Sequence, residues 1–390
     1  MRKTPNTSVP ITQTREILVI GLNPAFQSTL HFNSFKVGKV NRASRKCNSV
    51  GGKGQNFAIA CSQYGEADKI TILQALGGMT GRCIQDYLDE LHLEHVTVPI
   101  SKTTRTCTTV LDKSTGETSE LIEPAGRVEI SEKQIIEQTA KQLITNSPKL
   151  EAIALCGTLP PGLNGSTYSF ITQLKPQNCV VLLDAFQNIE CLSSGKVNIL
   201  KINSEESRKL TGYYDDSVTL VDVGKTILRN YKLPILAITD GPSVALLFEL
   251  VPITDNQPRQ IKVTRYHLPA LDVTLRDLEI PQSPSSQASS LPEATGEAFQ
   301  PRVGSTATLS TLGLGSNDLL LNPLGAGDTC SAIFLLEYLD TRNAALAFKH
   351  GLAAASASCL MIDTTSHFDI PVKDAIFDQI NTEFVIIDYD

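Results

Sequence analysis

The stretch Asn322-Pro-Leu-Gly-Ala-Gly-Asp-Thr329 is followed by Ser331–Leu339, an apolar run with helical spacing. Residues 325–327 are small, so a ligand could approach the backbone closely, and their N–H groups would point at an anion if they opened a helix. Asp328 comes next, and a carboxylate beside an anion site could accept the proton of a hydroxyl that attacks a phosphoryl group. The alternative is an ordinary loop in which Asp328 caps the helix.

The chain before this stretch alternates short apolar runs with segments of helical spacing. This pattern predicts an α/β fold in which helices cover both faces of a mainly parallel sheet. The predicted strands are Glu16–Gly21, Lys69–Leu76, Ala152–Leu155, Cys179–Asp184, Asn198–Ile202 and Pro234–Thr239. The predicted helices are Gln55–Tyr64, Thr80–Leu91, Ser131–Thr145, Ser204–Leu210 and Val218–Tyr231.

Three segments break the alternation. Thr29–Ser49 and Val96–Ile122 resemble extended ribbons, and the second contains a predicted hairpin turn at Lys113–Gly116. They predict a small β-sheet lid formed by residues of about 23–50 and 96–125. Pro281–Ser316 is rich in Ser, Pro, Gly and Thr, so it cannot bury enough apolar surface to offset its ordering entropy. We expect a disordered insertion there, a disordered start at residues 1–15, and one domain over residues 16–390.

The composition excludes several classes of protein. The 390 residues are 41% hydrophobic and 19% charged, and the net charge of −7 comes without a concentrated basic face, so we expect no nucleic-acid partner. No apolar run reaches the length of a membrane span, and the basic first fifteen residues lack the apolar core of a secretory signal. The nine cysteines are scattered singly, which predicts free thiols. We expect a soluble cytoplasmic protein, with organelle targeting as the less favoured alternative.

Two further motifs place small residues at predicted strand ends. In Ser49-Val-Gly-Gly-Lys-Gly-Gln-Asn56, Gly51 and Gly52 would permit backbone contact with a polar ligand, and Lys53 could hold an anion or fix the loop. The spacing is not that of a Walker loop, so this turn alone is weak evidence. A third motif, Cys156-Gly-Thr-Leu-Pro-Pro-Gly162, ends a strand and would turn sharply.

A fourth motif, Lys201-Ile-Asn-Ser-Glu-Glu206, ends another predicted strand. Asn203 and Glu206 lie one helical turn apart, and a carboxamide and a carboxylate so placed suit water-mediated coordination of Mg²⁺. The alternative is a helix cap at Asn203, with Glu206 completing a capping box.

The four motifs, in this order, resemble those of the ribokinase-like (PfkB) carbohydrate kinases over residues of about 16–380. Gly51-Gly-Lys-Gly-Gln-Asn56 is similar to the N-terminal glycine motif of that family, and Gly325-Ala-Gly-Asp328 to its C-terminal one. The resemblance implies a doubly wound α/β core, a β-lid and an active site between them. It implies that the anion hole is formed by Gly325, Ala326 and Gly327, and that Asp328 is the catalytic base.

The resemblance also implies which residues bind the two substrates. The implied substrate-binding residues are Gly51, Gly52, Lys53, Asn56 and Thr158. The implied ATP-binding residues are Lys201, Asn203, Thr239, Gly241 and Ser358, with Mg²⁺ held near Asn203 and Glu206 through water. Ser358 lies in a small-residue helix that would flank the adenine, although a tight helix-packing face explains these small residues equally well.

Within the family, Asn23-Pro-Ala25 and Gly38-Lys-Val-Asn-Arg-Ala-Ser44 most resemble the sugar-phosphate branch, which includes 1-phosphofructokinase and tagatose-6-phosphate kinase. That similarity implies that Lys39 and Arg105 contact the phosphate of the substrate, and Asn41 its sugar or the lid. Two cationic side chains on one lid surface suit a phosphorylated sugar better than a neutral one. Solvated charges on exposed strands are the alternative.

Two positions depart from the pattern of this branch. Gln27 stands where the branch usually has an acid that accepts hydrogen bonds from substrate hydroxyls; glutamine can donate and accept but has no charge. The usual Lys-Pro-Asn is Lys201-Ile-Asn203 here, a milder change.

The resemblance therefore implies transfer of the γ-phosphate of MgATP to a hydroxyl of a ketohexose phosphate, such as fructose 1-phosphate, fructose 6-phosphate or tagatose 6-phosphate. Two alternatives stay open: a kinase for an unphosphorylated sugar or nucleoside, and a lapsed kinase kept as a binding protein. The expected partners are these small molecules, and a homodimer through the lid is a further alternative.

Overall fold

The computed structural model describes most of the chain, in five stretches: residues 16–215, 217–251, 259–271, 321–362 and 364–389. The disorder expected for residues 1–15 and 281–316 lies outside these described residues. No helix within them is long and apolar enough to cross a membrane.

The described elements follow the predicted alternation along most of the chain. The strands are β1 (Glu16–Gly21), β2 (Ala25–Phe32), β3 (Arg45–Gly51), β4 (Ile70–Leu76), β5 (Glu94–Pro99), β6 (Thr106–Asp112), β7 (Thr118–Ile122), β8 (Leu150–Cys156), β9 (Val180–Asp184), β10 (Ile199–Asn203), β11 (Ile235–Thr239), β12 (Ala245–Leu250), β13 (Gln260–His267) and β14 (Asn381–Asp388). The helices are α1 (Lys53–Gln63), α2 (Gly78–Glu90), α3 (Ile130–Thr145), α4 (Gly165–Gln173), α5 (Ser204–Thr211), α6 (Leu220–Tyr231), α7 (Ala326–Thr341), α8 (Ala344–Ser358) and α9 (Ile370–Gln379).

Ten strands form one large sheet in the order β14-β13-β12-β11-β10-β9-β8-β1-β4-β5. Neighbours from β11 to β5 run parallel, whereas β12, β13 and β14 pair antiparallel at one side. The predicted parallel strands are confirmed within one or two residues at their ends. Their continuous apolar runs reflect burial on both faces of the sheet.

Two hydrophobic cores lie on the two faces of the sheet, and β1 contributes to both. Ile17 and Val19 pack into the core on the side of α1, α2, α7, α8 and α9, and Leu18 and Ile20 into the core on the side of α3, α4 and α6. Side chains alternate between the faces of a strand, so each predicted strand fills both cores. The doubly wound arrangement is confirmed.

A second, four-stranded sheet forms the lid, in the order β3-β2-β6-β7. The hairpin turn predicted at Lys113–Gly116 joins β6 to β7, and Asp112 Oδ1 accepts a hydrogen bond from Ser114 N over 2.9 Å within it. The lid differs from the prediction in one part: residues 96–99 belong to β5, which pairs with β4 in the large sheet. The lid therefore consists of residues 25–51 and 106–122, with a loop at residues 33–44.

In agreement with the predicted thiols, no cysteine among the described residues forms a disulfide, and all nine are buried or partly buried.

Candidate active site

A cavity of about 370 Å³ lies between the lid and the carboxyl ends of the parallel strands. It brings together residues from the glycine motifs, the lid and two strand ends. The predicted site residues that line it are Gln27, Gly51, Gly52, Lys53, Asn56, Arg105, Thr158, Glu206, Gly325 and Asp328. Ligands of open α/β sheets bind at this edge, beyond the carboxyl ends of the strands.

Asp328 lies in the first turn of α7 and is 8% exposed. The helix begins after Gly325, whose φ of +78° places it in the left-handed region, and a Cβ there would lie 2.6 Å from Ser366 Oγ. A glycine is therefore required at this turn. Asp328 Oδ2 accepts a hydrogen bond from Asn56 Nδ2 over 2.8 Å, so the N-terminal and C-terminal glycine motifs meet at the carboxylate.

The pKa of Asp328 is raised to about 6, first because the carboxyl is buried and second because the charge of Asp184 lies nearby. Lys53, the Asn56 hydrogen bond and Lys201 oppose this rise in the pKa. A carboxylate tuned in this way is charged at neutral pH but is a stronger base than an exposed aspartate.

The start of α7 offers backbone N–H groups next to Asp328. The first amides of a helix have no acceptor in a preceding turn. Ala326 N is an exception, since it donates to Pro323 O over 3.2 Å. Lys201 Nζ donates to Gly327 O over 2.9 Å and adds a positive charge to this helix start. The start of α7 is therefore suited to an anion, with the amides of Gly327 and Asp328 better placed than that of Ala326.

The N-terminal glycine motif forms the turn from β3 into α1. Gly52 has a φ of +108°, and a Cβ there would lie 2.8 Å from Pro24 Cα. The backbone passes close to the first lid strand at this point, which only glycine permits. Lys53 follows, and its Nζ lies 2.6 Å from Asp184 Oδ1 and 3.4 Å from Glu206 Oε1. Lys53 is therefore an ion-paired residue at the floor of the cavity.

Asp184, at the end of β9, was not predicted as a site residue. It is 1% exposed, and its Oδ2 accepts a hydrogen bond from Ser331 Oγ over 2.6 Å and lies 3.9 Å from Lys201 Nζ. Burial alone would raise the pKa of Asp184, but Lys53 and Lys201 hold it below its usual value. The one signal in the sequence was an aspartate closing a buried strand, directly at the edge where ligands bind.

Asn203 and Glu206 form the capping box that was the alternative interpretation. Asn203 Oδ1 accepts from Glu206 N over 2.7 Å, and Glu206 Oε2 accepts from Asn203 N over 3.0 Å. These two oxygens already accept hydrogen bonds from backbone N–H groups. They therefore suit contacts with the water molecules around a Mg²⁺ ion better than direct coordination of the ion. Within the described residues, no group of three His, Cys, Asp or Glu side chains could hold a metal ion by itself.

The lid contributes a polar surface to the cavity. Gln27 is 3% exposed, and its Nε2 donates to Thr109 Oγ1 over 2.7 Å. Arg105 Nη2 donates to Asn23 O over 3.3 Å, while its buried Nε has no hydrogen-bond partner among the described residues. Asn23 Nδ2 in turn lies 3.4 Å from Thr158 Oγ1, which links the lid to the turn after β8. Arg105 is thus placed to bind an anionic group of a ligand.

Several predicted site residues lie outside this cavity. Lys39 is exposed on the loop at residues 33–44, and Asn41 Nδ2 donates to the carbonyl groups of Lys36 and Lys39, over 2.8 and 3.1 Å. Asn41 thereby closes its own turn, so the structure does not bring Lys39 and Asn41 together with Arg105. Their assignment to the substrate stays a prediction.

The predicted nucleotide-binding residues lie at neighbouring strand ends. Thr239 ends β11 and pairs with Asn203 at the end of β10, and Gly241 follows in the next turn. Ser358 is buried near the end of α8, where its Oγ donates to Ala355 O over 2.8 Å. These residues do not line the cavity, and their contacts with ATP stay predictions.

A large, mainly parallel sheet with a four-stranded lid over the cavity is the ribokinase-like fold, and a ribokinase from Giardia lamblia shares it with a TM-score of 0.60 at 15% identity, over 93% of this chain and 100% of that one. A family model described as pfkB family carbohydrate kinase matches residues 17–275. Since this match covers more than half of the chain, the protein belongs to the pfkB family.

Individual relatives agree with this family. Two curated relatives are tagatose-6-phosphate kinases from two strains of Staphylococcus epidermidis, each 28% identical over 201 residues, which is 50% of this chain and 63% of the relative. The matched region thus spans less than two thirds of these relatives.

Solved structures show the same fold over nearly the whole chain. The tetrameric inhibited form of phosphofructokinase-2 from Escherichia coli has a TM-score of 0.68 at 17% identity, over 94% of this chain and 99% of that one. A possible 1-phosphofructokinase from Thermotoga maritima has a TM-score of 0.68 at 16% identity, over 95% of this chain and 100% of that one.

Proposed function

We propose that this protein is an ATP-dependent kinase that phosphorylates a hydroxyl of a sugar phosphate, most simply a ketohexose phosphate. The observation that carries the proposal is the position of Asp328: a buried carboxylate at the start of α7, facing the same cavity as Arg105, which directly precedes lid strand β6. A base and an anion-binding helix start on one side, with a cation on the other, suit a substrate that carries both a hydroxyl and a phosphate.

In this mechanism Asp328 accepts the proton of the attacking hydroxyl. Asn56 fixes the orientation of the carboxylate through its 2.8 Å hydrogen bond, which leaves Oδ1 available to the substrate. The N–H groups at the start of α7 stabilise the charge that develops on the transferred phosphoryl group. Lys201 and Lys53 add positive charge on the same side, and both are anchored by Asp184.

The proposed phosphate donor is ATP, and the proposed metal cofactor is Mg²⁺. The Mg²⁺ ion supplies charge neutralisation between the phosphate groups when it is bound. Asn203 and Glu206 would hold it through water, because their own oxygens accept hydrogen bonds from each other's backbone. Lys201, Thr239 and Gly241 would face the nucleotide at the ends of β10 and β11.

The proposed substrate class rests on the lid. Arg105 lies in the cavity wall, so its guanidinium group can meet a phosphate bound there. Gln27 occupies the position of the usual acid, and one N–H of its amide donates to Thr109. The amide oxygen and the second N–H can still form hydrogen bonds with a substrate. The tagatose-6-phosphate kinases among the relatives support a phosphorylated sugar, although they are matched over only part of their length.

We also propose that the lid pairs with a second copy of the chain. Strand β7 is an edge strand of the lid, and Leu121 on it is 58% exposed. Light scattering after gel filtration tests this: Leu121→Lys should reduce the mass to that of one chain, and a wild-type protein of one-chain mass would contradict the pairing.

A coupled assay of ADP release tests the function directly. The acceptors to compare are fructose 1-phosphate, fructose 6-phosphate, tagatose 6-phosphate, fructose, ribose and adenosine. We expect the highest kcat/KM with one of the three sugar phosphates. A higher value with fructose, ribose or adenosine would replace the proposal with a kinase for a neutral acceptor, and no ADP release with any of them would favour a binding protein.

A further inference from the structure

Asp184 joins the three segments that carry the proposed catalytic groups. Its carboxylate contacts Lys53 of α1 at 2.6 Å and Ser331 of α7 at 2.6 Å, and lies 3.9 Å from Lys201 at the end of β10. A buried carboxylate is costly unless its oxygens are paired and hydrogen-bonded, and both oxygens of Asp184 are. One lysine would be enough to pair the buried charge of Asp184. The presence of two lysines therefore indicates a further role.

Both lysines have a second contact that lies toward the proposed reaction. Lys53 Nζ lies 3.4 Å from Glu206 Oε1, and Lys201 Nζ donates to Gly327 O over 2.9 Å. A lysine side chain is flexible and could otherwise pair with Asp328 itself. The ammonium groups of both lysines instead lie at the carboxylate of Asp184, at 2.6 and 3.9 Å.

We propose that Asp184 is a positioning residue for phosphoryl transfer: it holds Lys53 and Lys201 beside Asp328, so that Asp328 is left without a direct ion pair and can accept the substrate proton. This role rests on the function proposed above. Asp184 does not touch the substrate in this proposal, and it keeps its negative charge throughout the reaction.

The protonation behaviour of the two carboxyls supports this division of roles. Lys53 and Lys201 hold the pKa of Asp184 low against the effect of burial, whereas burial and the charge of Asp184 raise the pKa of Asp328. The groups that face Asp328 are Lys53 and Asn56 from α1, Asp184 from β9 and Lys201 from β10. When the pKa values of two neighbouring carboxyls differ in this way, the one with the lower pKa stays charged and the other can accept a proton. Here Asp184 stays charged and Asp328 accepts the proton.

The test compares Asp184→Asn with Lys53→Met. Asparagine has the shape of aspartate and can still accept from Ser331, but it lacks the charge. We expect Asp184→Asn to lower kcat roughly ten- to a hundredfold, because misplaced groups cost about this much. The acid limb of the kcat/KM profile should move to lower pH, and Lys53→Met should move it to higher pH. Ser331→Ala removes an uncharged donor that lies within hydrogen-bond distance of Asp184 Oδ2 and Gly327 O, and it should leave the limb in place.

The value of kcat above the acid limb separates positioning from a merely structural role, because the charge of Asp184 moves the limb in either case. A structural role predicts a lower unfolding midpoint for Asp184→Asn with an unchanged kcat at pH values where Asp328 is charged, and that result would overturn the proposal. So would a limb that moves in the same direction in Asp184→Asn and Lys53→Met.

A double-mutant cycle provides a readout that needs no kinase activity. In the wild-type background, Asp328→Asn should raise the urea midpoint, because it removes a buried charge next to Asp184. In the Asp184→Asn background the same change should lower the midpoint, because Asp328 is then the buried anion nearest to Lys53 and Lys201. If Asp328→Asn changed the urea midpoint equally in both backgrounds while the wild-type protein had kinase activity, the positioning role of Asp184 would be overturned. The proposed function would then stand. The expected reversal without ADP release from any acceptor would instead overturn the proposed function.

Discussion

Asn56 and Asp328 are 272 positions apart in the chain, yet Asn56 Nδ2 donates to Asp328 Oδ2 over 2.8 Å. This hydrogen bond favours the charged form of the carboxyl and therefore works against the burial that raises its pKa. Two sequence motifs that look separate are one structural unit at this point, and the unit sets the pH at which the proposed base is charged.

The wild-type enzyme should lose kcat/KM as the pH falls through about 6, the value to which the pKa of Asp328 is raised. The carboxylate needed as a base is present above that pH and is protonated below it. Asn56→Ala should move this acid limb to higher pH, because the charged form loses a hydrogen bond. Thr365→Val, which removes a 3.3 Å hydrogen bond to Asn56 but leaves the contact with Asp328, is the matched control. A limb at the same pH in Asn56→Ala would separate Asn56 from the base.

Asp328→Asn should lower kcat by roughly 10²–10⁴, the usual worth of a positioned general base. Binding of ATP, measured by calorimetry, should change little, and the folded state should not be weakened, because a buried charge is removed. Asp68→Asn, at an exposed position away from the cavity, is the control for the amide substitution. If Asp328→Asn kept more than about a tenth of the wild-type kcat, another group would have to be the base.

Arg105→Ala should raise KM for the sugar phosphate roughly ten- to a hundredfold, because a hydrogen bond to a charged group contributes about 1.5–3 kcal/mol. KM for ATP and activity on an unphosphorylated sugar should barely change, since no sugar phosphate is contacted there. Arg82→Ala removes an exposed arginine of α2 outside the cavity and should leave all these values unaltered. An unchanged KM for every active sugar phosphate would favour a neutral-sugar kinase.

Gln27→Ala should raise KM for the sugar roughly two- to twelvefold, because a neutral hydrogen bond contributes about 0.5–1.5 kcal/mol. Thr109→Val removes the partner that orients the Gln27 amide over 2.7 Å, and it should shift KM in the same direction by less. KM for ATP reports whether the effect is confined to the sugar. A larger increase for Thr109→Val than for Gln27→Ala would show that Thr109, rather than Gln27, contacts the substrate.

The central strands were predictable because burial on both faces gives each of them a continuous apolar run. Strand β14 was not predicted: seven of its eight residues are exposed, and its apolar run is confined to Phe384–Ile387. Strands β12 and β13 were not predicted either, and an apolar run would not have shown that they pair antiparallel.

The motif residues around Asp328 were predictable from small residues at strand and helix ends. Asp184 was not, because its role depends on Lys53, which is 131 positions away, and on Ser331, which is 147 positions away. Such a meeting point exists only in three dimensions. For Lys39 and Asn41, charge and similarity indicate a ligand contact; in the structure Asn41 hydrogen-bonds within its own loop, neither residue lines the cavity, and their contact with the substrate stays a prediction.

The distance along the chain between the two glycine motifs also has a consequence for synthesis in the cell. A nascent chain that ends at residue 320 already contains Lys53, Arg105, Asp184 and Glu206, but it lacks α7 and with it the proposed base and the proposed amides for the phosphoryl group. Contacts between such distant segments form slowly during folding, because the loop between them must first be closed. In the proposed mechanism, a growing chain is therefore inactive until α7 has been synthesised and packs against α1.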